Sequence, residues 1–157
     1  MPSGSPSVSV GLISDTHGLL RPEALEALRG SRYIVHAGDI GDPAVLEPLS
    51  AIAPVTAVRG NNDQGSWAER LPQTELLRVG DMLIYVIHDV ATLDLDPAAN
   101  GFHVVVAGHS HRPGQEVRDG VLYVNPGSAG PRRFKLPIAV GRLTVCAGSA
   151  SFTVLQL

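Results

Sequence analysis

Val8-Ser9-Val10-Gly11-Leu12-Ile13-Ser14-Asp15-Thr16-His17-Gly18 is an apolar, β-branched run that ends abruptly in a carboxylate and an imidazole. The same grammar recurs down the chain. Asp39 follows the run 33–38, Asn61 the run 55–60, His88 the run Met82–Ile87, and His109 and His111 the run 104–108. In an open α/β sheet, ligands bind in the crevice beyond the carboxyl ends of the strands. Residues distant in sequence, each just past a strand, can therefore converge on one spot. Carboxylate, imidazole and carboxamide are hard or borderline donors that suit Mn, Fe, Zn or Mg. Seven such donors exceed what one ion takes and suit two ions sharing a bridge. The pattern points to a two-metal hydrolase.

The flanking sequence builds the scaffold for those ends. Pro22–Leu28 carries helix formers behind a proline suited to a first turn. A second strand at 33–37, a helix over 43–53 that Pro48 should kink or shorten, and a third strand at 55–58 complete a βαβαβ order. That order implies a parallel core. The second half changes to hairpins. Runs 75–79 and Met82–Ile87 flank Gly80-Asp81, runs 115–118 and 121–124 flank Asp119-Gly120, and runs 138–145 and 151–157 flank Gly148. Parallel units followed by hairpins predict an α/β fold with a mixed sheet, or two packed sheets, flanked by helices. One domain over 8–157 is expected, preceded by a disordered lead at 1–7 rich in Pro, Ser and Gly.

Composition narrows the function classes. A chain of 157 residues with 44% hydrophobic and 17% charged residues is a globular chain with material for a real core. A formal net charge of −3 argues against a nucleic-acid-coating protein, which would be basic. It leaves anionic substrates open, because bound cations would dominate the field of their own site. The single cysteine, Cys146, excludes an intrachain disulfide and cysteine-rich zinc folds, and its apolar surroundings predict a small buried residue. The lead lacks a basic region and an apolar stretch, and no apolar run approaches a bilayer span, so a cytoplasmic protein without membrane contact is expected.

Individually the motifs are modest. Asp15-x-His17 with Gly18 beneath it could grip one ion, although such tripeptides are common loop polars. Gly38-Asp39 is an ordinary turn pair whose carboxylate, unlike a neutral imidazole, could bridge two cations. His36, inside the second strand, reads as a packed or supporting histidine. Gly60-Asn61-Asn62-Asp63 could be a plain turn; a carboxamide oxygen there could also ligate a hard ion, and Asp63 could orient a neighbour or sit near a leaving group. Gly108-His109-Ser110-His111 is the sharpest local signal: on a strand the two imidazoles would point the same way, in a turn they could address adjacent ions. Asn125-Pro126-Gly127-Ser128 suits a type II turn. Arg132 and Arg133 after it are either solvated charges or contacts for a phosphate oxygen.

Taken together and in this order, Asp-x-His, Gly-Asp, Gly-Asn-x-Asp, His and Gly-His-x-His resemble the calcineurin-like metallophosphoesterase superfamily. With Asn125-Pro126-Gly127-Ser128 and so short a chain, the pattern is most similar to the small YfcE-like phosphodiesterase branch. The resemblance implies a four-layer αββα sandwich of two mixed sheets flanked by helices. It implies one ion on Asp15, His17 and His111, a second on Asn61, His88 and His109, and Asp39 between them. Two departures stand out. Many members carry His where this chain has Asn62, which cannot serve as a proton donor to a leaving group, and Asp89 follows His88 where Gly is usual.

The expected activity is hydrolysis of a phosphodiester by a metal-bridging hydroxide at a dinuclear site. Manganese is the first choice of metal, with Fe, Ni, Zn or Mg as substitutes. Asn62 would contact the substrate phosphate and Asp63 would orient the site. The substrate would be a small-molecule phosphodiester, and a homo-oligomer is compatible with the resemblance. Two rivals accompany this reading: a weakly active or inactive protein-binding scaffold on the same fold, and a phosphomonoesterase, whose more highly charged substrate would call for further cations such as Arg132 and Arg133.

Overall fold

The computed structural model describes residues 7–157, so all but the last residue of the expected lead lies outside the described residues. Two five-stranded sheets face each other. The first has the order β10-β9-β1-β2-β3 and the second β4-β5-β6-β8-β7. In the first, β1 (Val8–Ile13), β2 (Tyr33–His36) and β3 (Val55–Ala57) run parallel, while β9 (Ala139–Cys146) lies antiparallel to β1 and β10 (Ser149–Gln156) antiparallel to β9. In the second, β5 (Met82–Ile87), β6 (Val104–Val106) and β8 (Val121–Asn125) are parallel, and β4 (Thr74–Val79) and β7 (Gly114–Arg118) are antiparallel edges. Each sheet is therefore mixed, as expected.

The layers follow from which face of each strand is apolar. Val10, Leu12 and Val35 of the first sheet meet Ile84, Val86, Val104 and Val106 of the second in the central core. On the other face of the first sheet, Ile13, Ile34 and Val140 pack against α1 (Pro22–Leu28) and α2 (Leu46–Ile52), with Trp67 of the short α3 (Ser66–Glu69) alongside. The outer face of the second sheet, around Tyr85, Ile87 and Val105, is covered more thinly. Leu93, Leu95 and Phe102 of the connecting segment lie over it, and its one helical feature is the 3-10 turn Val90–Thr92.

Local chemistry explains the details. Pro48 does not kink a long helix. A 3-10 turn, Pro43–Val45, precedes α2, and Pro48 falls in the first turn of α2, where its missing N–H has no intrahelical partner to lose. Asp119 (φ 51°) and Gly120 (φ 79°) both take the left-handed backbone of a type I′ hairpin turn. Cys146 ends β9 half-buried rather than fully buried, because the strand turns back there at Ala147-Gly148. Among the described residues no helix is long and apolar enough to cross a membrane.

Candidate metal centre

Six parallel strands, three from each sheet, end at the same edge of the sandwich, and the loops that follow them carry every candidate donor. The loops after β1 and β2 run side by side, stitched by backbone hydrogen bonds from Asp15 N to Gly38 O (3.0 Å), His17 N to Asp39 O (2.9 Å) and Gly18 N to Ile40 O (2.7 Å). Asp15, His17, Asp39, His109 and His111 all have φ between 47° and 71°. Left-handed backbone is uncommon for such residues and clusters at functional sites. Here it turns each side chain back over the strand ends. The His-x-His pair thus sits in a turn, and its two rings address different neighbours.

Two groups of donors result: Asp15, His17 and His111, and Asp39, His88 and His109. In the first, Asp15 Oδ1 lies 3.4 Å from His111 Nε2 and 3.9 Å from His17 Nε2. In the second, Asn61 Oδ1 lies 3.0 Å from His88 Nε2 and 3.2 Å from His109 Nδ1. Asp39 Oδ2 of the second group lies 3.3 Å from His88 Nε2 and 3.7 Å from His17 Nε2 of the first.

The donor set fits metal ions on an observation independent of resemblance. Asp15 Oδ1 and His17 Nε2 are buried, face this spot, and have no hydrogen-bond partner. Buried polar atoms are rarely left unsatisfied, and each exception requires an explanation. A cation between them supplies one. The other oxygen of Asp15 and the other ring nitrogen of His88 are already committed. Asp15 Oδ2 accepts from Ser14 Oγ (2.6 Å) and His109 N (3.0 Å), which leaves Oδ1 as the oxygen presented to an ion. His88 donates its Nδ1–H to Ala37 O at 2.7 Å, leaving Nε2 for the site.

The charges reflect a cluster of like and unlike groups crowded out of water. Burial raises the Asp15 carboxyl above the usual range, against the opposing pull of the Ser14 hydroxyl and the His88 and His111 rings. For Asp39 burial also pushes upward, but hydrogen bonds from His88 and Asn62 outweigh it and hold the carboxyl well below the usual range. Burial alone would lower His88; the Asp39 carboxylate and the Ala37 carbonyl raise it instead. Burial lowers His111, with Asp15 opposing and the positive charge of Arg133 assisting.

Supporting residues lock this arrangement. Asp63 accepts backbone N–H bonds from Ile40 (3.2 Å), Gly41 (2.9 Å) and Gly60 (2.9 Å), bracing the loops after β2 and β3. Asn62 donates from its backbone (2.9 Å) and its side chain (3.0 Å) to Asp39. Asp89 accepts from Ala91 N (3.0 Å) and places its other oxygen 3.7 Å from His109 Nε2. His36 is fully buried and outside both groups. Its Nδ1 accepts from Gly38 N (3.1 Å), so Nε2 carries the proton toward Thr16 Oγ1 (3.0 Å), whose hydroxyl donates to Ile40 O (2.8 Å).

Several participants were not legible as such in the sequence. Asn125 donates to Gly108 O (3.0 Å) and Ser110 Oγ (3.2 Å), bracing the His-x-His turn, and Ser128 donates to Asp15 O (3.1 Å). A lone Ser14 next to Asp15 gave no signal at all. A cleft of about 250 Å³ opens beside Asn61 and His88 with Arg59 on its wall; Arg59 had no motif to mark it. A larger cavity of about 330 Å³ lies over Val105 and Tyr123; Val90, Ala107, Ser110, Arg112 and Asn125 help line it, but none of the seven candidate donors does. The smaller cleft is the one the donors line. Arg132 and Arg133 are exposed on the loop after Gly130.

Known proteins place the chain. Residues 8–148 match the model of the calcineurin-like phosphoesterase superfamily domain. A probable metallophosphoesterase of Methanocaldococcus jannaschii is 35% identical over 132 residues, covering 76% of this chain and 67% of that protein. A phosphodiesterase of the same organism is 25% identical over 138 residues, covering 76% and 83%. The structure of YfcE, a phosphoesterase from E. coli, superposes with a TM-score of 0.68 at 26% identity, covering 87% of this chain and 88% of that one. This chain belongs to the calcineurin-like phosphoesterase superfamily.

Proposed function

We propose that the protein is a dinuclear metal-dependent phosphodiesterase. Asp15, His17 and His111 would hold one divalent ion, Asn61, His88 and His109 the other, and Asp39 both. The observation that supports this reading is that Asp39 Oδ2, 3.3 Å from His88 Nε2 in its own donor group, also lies 3.7 Å from His17 Nε2 of the other. When bound there, divalent ions would supply a water-derived nucleophile at neutral pH and polarise the phosphoryl oxygens for in-line attack.

The chain's own residues orient and select. Ser14, Asn125 and Asp63 hold the ligand loops rigid, and pre-organisation of this kind limits reorganisation during reaction. Asn62, exposed beside Asp39, is placed to donate a hydrogen bond to a phosphoryl oxygen but has no acidic proton to give. Leaving groups that depart without protonation are therefore favoured. Diester specificity is supported by the neutral Asn62 and by the likeness to the M. jannaschii phosphodiesterase.

The test is to strip the protein of metal, restore Mn²⁺, and compare bis(p-nitrophenyl) phosphate with p-nitrophenyl phosphate. Turnover that depends on Mn²⁺ and favours the diester is expected. Preference for the monoester would change the substrate class. Silence with Mn²⁺, Fe²⁺, Ni²⁺, Zn²⁺ and Mg²⁺ in turn, with metal shown to be bound, would overturn the enzyme reading in favour of a scaffold.

A further inference from the structure

The segment after the Asn125-Pro126-Gly127-Ser128 turn is anchored against the first donor group and then leaves the surface. Ala129 N donates to Ser14 O at 3.0 Å, and Gly130 packs so closely on the next turn that a Cβ there would stand 2.3 Å from Thr16 O. Ser128 and Ile138 are bridged, and Ala139 N donates to Ser128 O at 3.0 Å, so the excursion between them is closed at its base. The first foot of this loop thus stands next to Asp15, where Ser128 Oγ donates to Asp15 O at 3.1 Å, and the second foot is tied to the first.

The loop itself reads Pro131-Arg132-Arg133-Phe134-Lys135-Leu136-Pro137. Residues 131–135 are all exposed. Leu136 N donates to Arg133 O at 3.2 Å, closing a turn with Phe134 and Lys135 at its tip. Phe134 is 92% exposed, far more than any other large apolar residue described, and it holds φ at 55°. A bulky residue in left-handed backbone is a conformational outlier. Around it stand three of the chain's twelve cationic side chains, including its sole lysine, although the chain as a whole is net negative.

An aromatic ring raised among cations is the chemistry that stacks a nucleobase while holding its phosphate. We propose that the turn tip is a recognition platform for the nucleoside half of the substrate. Phe134 stacks on the base, and Arg132, Arg133 and Lys135 face the negative charge around the phosphate held by the metal centre. The substrate class is then an ester of a nucleoside monophosphate. The inference rests on the metal-centred reading above, because that centre supplies the second point of attachment. A second copy of the chain is a poor occupant: a two-fold contact would set these cations against themselves.

The experiment is calorimetric titration of the Mn²⁺-loaded protein with thymidine 5′-monophosphate and with ribose 5-phosphate, which lacks the base. The nucleotide should bind about 10-fold tighter, within the range of one base stacked on one ring. Phe134→Ala should bring that ratio to about one without changing ribose 5-phosphate binding, and Phe134→Trp should restore it. Arg132→Gln with Lys135→Gln should weaken both ligands. A wild-type ratio near one, a ratio unmoved by Phe134→Ala, or a dimer that Phe134→Ala dissociates would overturn the platform. Failure here can be told from failure of the activity. Hydrolysis of bis(p-nitrophenyl) phosphate without base preference removes the platform alone, whereas Phe134-dependent preference without hydrolysis removes the phosphodiesterase and leaves the platform standing.

Discussion

Oδ2 of Asp15 accepts the backbone N–H of His109 at 3.0 Å, joining a loop of the first sheet to a loop of the second across 94 residues of sequence. The bond ties the two donor groups together, since Asp15 belongs to one and His109 to the other. It also shows which oxygen of Asp15 remains for a cation. The Ser14 hydroxyl shares the task at 2.6 Å.

Ser14→Ala should therefore weaken metal binding without unfolding the protein. The loss of a residue that orients a ligand lowers metal affinity by about 10–100-fold. Titration of metal-free protein with Mn²⁺ would show the loss on the ion held by Asp15. Unchanged affinity would mean that the His109 N–H alone orients the carboxylate.

Asp39→Asn should be more damaging than any supporting change. A carboxamide keeps the shape but offers only one acceptor oxygen and no charge to two cations. A fall in kcat of at least about 100-fold is expected, at or beyond the upper end of the range for supporting residues. The readout is bis(p-nitrophenyl) phosphate turnover at saturating Mn²⁺, with bound metal per chain counted in parallel.

Metal uptake should release protons and strengthen with pH. Asp39 and Ala37 raise the His88 ring, although burial opposes them, so near pH 6.5 the metal-free protein holds a proton on this ring that an ion must displace. Burial raises Asp15 in the same sense. Affinity should fall as pH drops through the raised His88 value. Calorimetry at pH 6.5 in two buffers of different ionisation enthalpy would count the protons, and a count of zero there would refute the assignment.

His36 should make the metal-free protein sensitive to acid. Burial lowers this ring to about 3 from an ordinary 6.5. Below pH 6.5 the unfolded chain takes up a proton that the native state refuses. The stability conferred by neutral His36 is thus fully present above 6.5 and lost as pH falls toward about 3. The slope from one such group is at most about 1.4 kcal/mol per pH unit. Urea midpoints of wild type and His36→Gln between pH 7 and 4 would test this, with a shallower decline expected for the variant.

Much of the scaffold was legible before the structure. Val8–Ile13, Pro22–Leu28 and Met82–Ile87 have the bounds their sequence periodicity implied, and Asp119-Gly120 makes the hairpin its dipeptide signals. These features depend on a few neighbouring residues: side-chain alternation, a proline at a first turn, a pair that tolerates positive φ. The α3 turn, Ser66–Glu69, carried no comparable local signal, and the helix expected over 43–53 separates into a 3-10 turn and α2.

By itself the sequence determined the donor inventory: carboxylates, imidazoles and an amide, each just past an apolar run. Tertiary structure alone decided the distances among those donors, such as Asp39 Oδ2 at 3.3 Å from His88 Nε2 and Asp15 Oδ1 at 3.4 Å from His111 Nε2, and the bracing by Ser14 and Asn125. It also decided how closely the loops approach. A Cβ at Gly60 would stand 2.2 Å from Asp39 N, and one at Gly108 would stand 2.0 Å from Ser14 Oγ. The physical reason is range. Strand and turn propensities act over a few residues, whereas the distance between two side chains at a sheet edge depends on strand order, register and backbone packing between segments far apart in the chain.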